Sequence, residues 1–155
     1  MHIVYLHGFN SSPLSLKAGE TAAWLAAHAP DIQFHCPRLS PHPAEALSQA
    51  ETLLLALPPN TLLIGSSLGG FYATCLAERH GRPAALINPA VRPDRDLARF
   101  AGKQTNPYTG EVYTLGDDDL QALLAQRVDQ PSAGRYWLLL GSRDEVLDWR
   151  EAACH

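Results

Sequence analysis

The sequence predicts a three-layer α/β fold in which a mostly parallel five-stranded sheet carries helices on both faces. Short apolar runs, rich in β-branched and aromatic residues, alternate along the chain with longer amphipathic stretches. This alternation is typical of strands joined by crossover helices. The runs are apolar almost throughout, as expected for parallel strands that are covered on both faces. No repeat or change of composition divides the chain, so we expect a single domain over residues 1–155.

Each predicted strand ends at a glycine or proline, which comes within two residues of the apolar run. The five runs are 3–6, 32–36, 61–64, 84–87 and 136–140. Glycine and proline interrupt regular structure because one is conformationally free and the other lacks an N–H donor. These positions therefore set the expected ends of the strands, where the loops of a parallel sheet carry functional residues.

The stretches between the strands predict helices. Their expected bounds are 16–28, 44–57, 68–80 and 117–126, with a last helix starting near residue 146. Ser15 is suited to cap the first of them, with Leu16, Trp24 and Leu25 on its inner side. The chain between residues 91 and 130 contains many breakers, and within it we predict a mobile cap or lid over 101–116.

Composition argues against several classes of function. The net charge is −4 at pH 7 and no basic block occurs, so nucleic acid is not an expected partner. Cys36, Cys75 and Cys154 form no CxxC pair, which argues against a zinc site and favours reduced thiols without a metal. The N-terminal apolar run of four residues is too short for a signal peptide or a membrane span. We therefore expect a cytoplasmic protein without a membrane partner.

One serine has the setting of a catalytic nucleophile. Ser67 lies in the pattern Gly65-x-Ser67-x-Gly69, directly after a predicted strand and before a predicted helix. A serine hydroxyl is a weak nucleophile unless it is exposed beside a base, and a sharp strand-to-helix turn exposes it. Ser66 is a second hydroxyl in this turn, but only Ser67 has glycine two positions away on both sides. No lysine follows as in a phosphate-binding loop.

The segment His7-Gly8-Phe9-Asn10 ends the first predicted strand and is expected to face that serine. If strands two and three lie on opposite sides of strand one, their connections diverge and leave a crevice at this edge. An oxyanion hole needs two backbone donors there. We predict the N–H groups of Phe9 and Leu68 as these donors. His7 is then expected to hold the loop by a side-chain hydrogen bond.

A triad also needs an acid and a base. Asp144 follows the last predicted strand, where the chain order Ser, Asp, His places the acid that orients an imidazole; Glu145 and Asp148 are weaker alternatives. His155 comes only eleven positions after Asp144, which leaves no room for a further strand, so it is not expected to be the base. The remaining histidines are interpreted as structural, surface or packing residues: His2, His7, His28, His35, His42 and His80.

Five segments together resemble the YqiA-like family of bacterial esterases. They are YLHGFNSSP at 5–13, GSSLGGFYAT at 65–74, NPAVRP at 88–93, NPYTG at 106–110 and DEVLDWR at 144–150. The resemblance implies an α/β-hydrolase fold and hydrolysis of carboxylic esters or thioesters in the bacterial cytoplasm. It matches the family's nucleophile to Ser67 and its acid to Asp144. The family's histidine belongs to a glycine-rich segment without a counterpart here, so the chain is expected to lack the final strand, the histidine loop and the closing helix.

These observations predict a serine esterase that acts on a small acyl ester or thioester without a cofactor, through an acyl-enzyme on Ser67. Because the base is unassigned, impaired activity is expected. The alternative is a non-catalytic hydrolase-like binding module or an inactive fragment. Phe9 is expected to border the substrate crevice, with Tyr72 and Tyr108 as further candidates. The run 136–140 is expected to form an open sheet edge and to mediate self-association.

Overall fold

The computed structural model describes residues 1–140, which form seven strands and five helices. In chain order these are β1 (His2–Leu6), α1 (Leu16–His28), β2 (Gln33–His35), α2 (Pro43–Leu55), β3 (Leu62–Ser66), α3 (Leu68–His80), β4 (Ala84–Ile87), α4 (Pro93–Asp96), β5 (Gly102–Thr105), β6 (Val112–Leu115), α5 (Asp117–Ala125) and β7 (Tyr136–Leu139). A 3₁₀ turn covers Ala98–Phe100. None of these helices combines the length and the apolar character that crossing a bilayer requires. The predicted last helix lies outside the described residues.

The main sheet has five parallel strands in the order β2-β1-β3-β4-β7. Strand β2 lies on one side of β1, and β3 lies on the other side, followed by β4. The connection from β2 to β3 therefore crosses β1, and the chain changes direction within the sheet. Since parallel crossovers are right-handed, α1 lies on one face and α2 and α3 lie on the other. The predicted fold class is therefore confirmed, and strands two and three flank strand one as expected.

The largest hydrophobic cluster lies between the sheet and the helices α2 and α3. Val4 of β1, Leu63 of β3 and Leu76 of α3 have no exposed surface. Leu54 of α2 belongs to the same cluster and is also fully buried. Burying one such side chain stabilises the fold by about 1.5–3 kcal/mol. This cluster holds α3 firmly against the sheet, and the N-terminus of α3 is where Ser67 lies.

Of the three residues predicted on the inner side of helix α1, only Leu25 is buried. Ala18 and Leu25 are buried, but 73% of Leu16 and 58% of Trp24 are exposed. The prediction that Leu16 and Trp24 face inward is therefore wrong. Ala18 and Leu25 are seven positions apart, about two turns, so they share one face, whereas Trp24 is rotated by roughly 100° from Leu25. Trp24 stacks on the ring of His28 instead.

Residues 102–115 contain an antiparallel hairpin that is separate from the main sheet. Its strands β5 and β6 pair Gly102 with Leu115 and Thr105 with Val112. The sequence analysis predicted no strand here, although Val112–Leu115 alternates between exposed and buried positions, which is the pattern of a half-buried strand. The role of this hairpin as a lid stays a prediction.

Strand β7 is the outer strand of the main sheet on the side of β4, among the described residues. Trp137 is 61% exposed and Leu139 is 56% exposed. An apolar outer strand is a surface on which another chain can pair. Self-association through this strand stays a prediction.

Candidate active site

Ser67 occupies the sharp turn between β3 and α3. Its backbone angles are φ 57° and ψ −118°, a conformation that non-glycine residues rarely adopt and that costs free energy. The turn is held by the end of β4. The N–H of Ser67 donates to the carbonyl of Ile87 at 3.0 Å, and the N–H of Ala90 donates to the carbonyl of Ser67 at 2.9 Å. These contacts offset the strain and fix the direction of the serine side chain.

Two glycines allow the backbone to pass through this turn. A Cβ atom on Gly65 would lie 2.3 Å from the carbonyl oxygen of Gly69, and one on Gly69 would lie 1.9 Å from the carbonyl oxygen of Leu6. Both neighbours are backbone atoms, so no side-chain rotation relieves the overlap. The glycine pattern around Ser67 is thus a packing requirement that brings α3 against the end of β1.

The loop after β1 lies directly beside the serine. A Cβ atom on Gly8 would be 3.1 Å from Cβ of Ser67 and 3.6 Å from its Oγ. The N–H of Phe9 donates no hydrogen bond to the described backbone. Leu68 is the first residue of α3, so its N–H has no acceptor within the helix. Phe9 lines the same cavity as Ser67, and Leu68 follows Ser67 directly in the chain. Their role as oxyanion donors stays a prediction.

The side chain of His7 anchors this loop by hydrogen bonds. Its side chain is 5% exposed. The N–H of Leu39 donates to Nε2 at 2.9 Å, and Nδ1 lies 3.1 Å from the carbonyl oxygen of Gly8. These partners require a proton on Nδ1 and none on Nε2, and burial lowers the pKa of His7, so the ring is neutral. With both nitrogens engaged, His7 cannot accept the proton of Ser67.

Two other imidazoles pair with carboxylates. His42 contacts Asp119 at 3.0 Å, and His80 contacts Glu51 at 2.7 Å. Such pairs resemble the acid–base half of a triad, but none of these four residues lines the cavity of Ser67. Asp144, with Glu145, Asp148 and His155, lies outside the described residues, and so do any contacts that they make. Within residues 1–140, Ser67 and Phe9 line one cavity, and His7 is the only imidazole that lines it with them.

Ser67 opens onto a cavity of about 260 Å³. Phe9 and Tyr108 line it as expected, together with Leu16 and Lys17 from the start of α1. The sequence analysis did not assign Lys17 to the site, because only the folded chain brings the first turn of α1 to this edge. Within residues 1–140, no group of His, Cys, Asp or Glu side chains has an arrangement that could hold a metal ion.

Tyr72 does not border the cavity of Ser67. It is 3% exposed and lies in the core cluster on the inner side of α3. It lines a smaller neighbouring cavity together with Phe9 and Leu68. Tyr72 therefore borders the loop after β1, but not the cavity onto which Ser67 opens. Burial strongly raises its pKa, so the ring remains a neutral packing residue.

The described cysteines are poor alternatives as nucleophiles. Cys36 and Cys75 are free thiols. Burial raises the pKa of Cys36 to about 11 and that of Cys75 to about 12. Because the thiolate is the reactive form, both groups are almost wholly unreactive near neutral pH. Cys154 lies outside the described residues.

A family model described as "Uncharacterised protein family (UPF0227)" matches residues 2–155. The chain belongs to this family. The match confirms the resemblance to the YqiA-like family that the sequence segments indicated. The matched range includes Ser67, the loop after β1 and Asp144.

Solved structures share the architecture at low sequence identity. The mouse α/β hydrolase domain-containing protein 10 superposes with a TM-score of 0.68 at 17% identity, over 98% of this chain and 73% of that one. The ydeN gene product of B. subtilis gives 0.65 at 13% identity, over 99% and 79%. The Paleococcus ferrophilus monoacylglycerol lipase gives 0.68 at 16% identity, over 98% and 77%. At these identities the likeness establishes the α/β-hydrolase fold.

Proposed function

We propose that this protein is a serine hydrolase that cleaves small carboxylic esters or thioesters through an acyl-enzyme on Ser67. One observation carries the proposal. Ser67 stands in a rare backbone conformation at the wall of a cavity, and the loop after β1 lies so near that a Cβ atom on Gly8 would be 3.1 Å from Cβ of Ser67. Strain of this kind persists where function requires it. The name of the monoacylglycerol lipase among the structural relatives agrees with an ester substrate.

The chemistry follows from the positions of these groups. Ser67 Oγ attacks the acyl carbon while a base takes its proton, and the carbonyl oxygen becomes an anion. The N–H groups of Phe9 and Leu68 stabilise that anion, assisted by the positive end of the α3 dipole. The intermediate expels the alcohol or thiol, which receives the proton, and water then releases the acid from Ser67. We assign Asp144 the role of orienting the imidazole base.

The cavity favours a small substrate. Its volume of about 260 Å³ lies just below the range of roughly 300–1,000 Å³ that is usual for ligand sites. Phe9 and Tyr108 offer apolar and aromatic surface to an acyl chain, and Lys17 adds a basic side chain to the lining. No step of this chemistry calls for a metal or an organic cofactor. Action in the cytoplasm is part of the same proposal.

The test compares two neighbouring hydroxyls. Hydrolysis of p-nitrophenyl acetate and butyrate is measured for the parent, Ser67→Ala and Ser66→Ala. We expect Ser67→Ala to lower kcat by on the order of 10³-fold or more relative to an active parent. Ser66→Ala should stay within about threefold, because Ser66 lines the same cavity but ends β3 before the turn. A folded Ser67→Ala protein with the activity of the parent would refute the proposal. No turnover by a folded parent would favour a non-catalytic binding module.

A further inference from the structure

Three side-chain hydrogen bonds tie the β5–β6 hairpin to the loop after β1. Tyr113 Oη donates to Asn10 Oδ1, and Asn10 Nδ2 donates to Gln104 Oε1 at 3.2 Å. From the other end of the hairpin, Asn106 Nδ2 donates to the carbonyl of Ser11 at 2.9 Å. The partners are between 94 and 103 positions apart in the chain. The hairpin therefore braces the segment that follows Phe9.

Asn10 uses both ends of its amide in this contact. The orientation is unambiguous because Gln104 Nε2 donates to the carbonyl of Phe100 at 2.7 Å, which leaves Gln104 Oε1 to accept from Asn10. Tyr113 is 8% exposed, and burial raises its pKa to about 12, so its hydroxyl remains a donor. Tyr113 is buried and Asn10 and Gln104 are half-buried, and a polar network whose members are all partnered favours one geometry.

The backbone of Asn10 also needs external support. Its φ is 51°, in the left-handed region that asparagine tolerates better than most residues. The neighbouring Phe9 ring packs on Phe100, with centroids 5.4 Å apart. On the other side of Phe9, the loop is anchored by the hydrogen bonds of His7. The Phe9 amide is thus fixed between one anchor at the sheet and one at the hairpin.

We propose that Asn10 is a positioning residue for this reaction: it couples the hairpin to the loop and so holds the N–H of Phe9 towards the oxyanion at Ser67. The inference rests on the proposed function. The same hairpin carries Tyr108, which lines the cavity of Ser67. The hairpin therefore contributes twice to the site, once by orienting an oxyanion donor and once by forming the cavity wall.

The test separates positioning from substrate binding. Asn10→Gly retains the left-handed backbone and removes both amide contacts, while Tyr113→Phe removes one oxygen outside the cavity. We expect Asn10→Gly to lower kcat about 10- to 100-fold with KM within about threefold, because an oxyanion donor acts in the transition state. A trifluoromethyl ketone, which forms a tetrahedral oxyanion on serine, should lose affinity by the same factor. Lys103→Ala, an exposed change on the same hairpin, should leave kcat unchanged.

The double variant gives a second criterion. Asn10→Gly with Tyr113→Phe should be no slower than Asn10→Gly alone, because both changes remove the same hydrogen bond. Multiplying effects, an effect confined to KM, or an unchanged kcat would overturn the inference while leaving the ester hydrolase intact. If Asn10→Gly fails to fold by circular dichroism, Tyr113→Phe decides the matter, with an expected loss of about 3- to 10-fold in kcat. Parent activity that is insensitive to Ser67→Ala would instead remove the proposed function, and the inference with it.

Discussion

At the scale of single residues, His7 links the chemistry of the site to the stability of the fold. Its Nδ1–H faces the carbonyl oxygen of Gly8, and its Nε2 accepts from the N–H of Leu39. The second bond requires an unprotonated Nε2 and therefore a neutral ring. Burial lowers the pKa of His7 below its ordinary value of about 6.5. In the window between these two values, the unfolded chain binds a proton that the folded chain does not. Folding stability is therefore coupled to pH at this residue.

We expect the free energy of unfolding to fall as the pH decreases below about 6.5, and His7→Gln to reduce that dependence. The stabilising contribution is present above the pKa of the unfolded state and is lost on the way to the lower folded value. Glutamine can still accept the N–H of Leu39 but does not titrate. Urea unfolding at pH 7.5, 6.5 and 5.5 measures both slopes. Equal slopes for the parent and His7→Gln would contradict the assignment.

At the scale of elements, the junction between β3 and α3 depends on how closely α3 approaches the sheet. Gly69 lies on the first turn of α3 and faces the carbonyl oxygen of Leu6 in β1. The backbone of α3 packs directly on the backbone of β1 here, so neither Gly69 nor Leu6 can shift without moving the helix away from the sheet. The same approach places Ser67 beside Gly8. A change that moves α3 away from the sheet is therefore also expected to move Ser67 away from the loop after β1.

Gly69→Ala is expected to destabilise the protein by about 3 kcal/mol or more, because its methyl group would overlap the backbone of β1. Gly19→Ala is the matched control. It lies in α1 with nothing within 4 Å of an added Cβ, and it should stabilise the protein by about 0.5–1 kcal/mol, since glycine is unfavourable inside a helix. Thermal and urea unfolding measure both effects. A Gly69→Ala protein as stable as the parent would contradict the packing described for the turn.

At the scale of the whole molecule, the sheet is asymmetric. Its β1, β3 and β4 strands are paired on both sides, whereas β2 and β7 are the outer strands within the described residues. Large apolar side chains are exposed on β7, with Trp137 at 61%. Edge strands with apolar surface pair readily with another chain. A second copy of this protein offers a strand of the same length and character.

We therefore predict concentration-dependent self-association that Trp137→Lys weakens, because a charge on an edge strand opposes pairing. Trp24→Lys is the control, since Trp24 is 58% exposed on helix α1, away from β7. Sedimentation velocity across a hundredfold range of concentration measures the association. A monomer throughout that range, or an equal effect of both substitutions, would contradict a role for β7.

The sequence by itself determined the strands of the main sheet and the strand–turn–helix setting of Ser67. Strand β4 and helix α3 have the predicted bounds of 84–87 and 68–80, because apolar runs and the breakers that follow them act locally. The sharp turn between β3 and α3 was predictable for the same reason. Gly65, Ser67 and Gly69 are neighbours in the chain, and the turn that requires them lies between one strand and the next helix.

Only the tertiary structure decided which distant groups pack around Ser67 and the loop after β1. The partners of Asn10 come from a hairpin about a hundred positions later, and the outward direction of Trp24 depends on which helix face meets the sheet. Lys17 enters the cavity wall because α1 begins at the same sheet edge. Local sequence patterns do not predict such contacts, because each contact depends on the free energy gained when separate elements pack together.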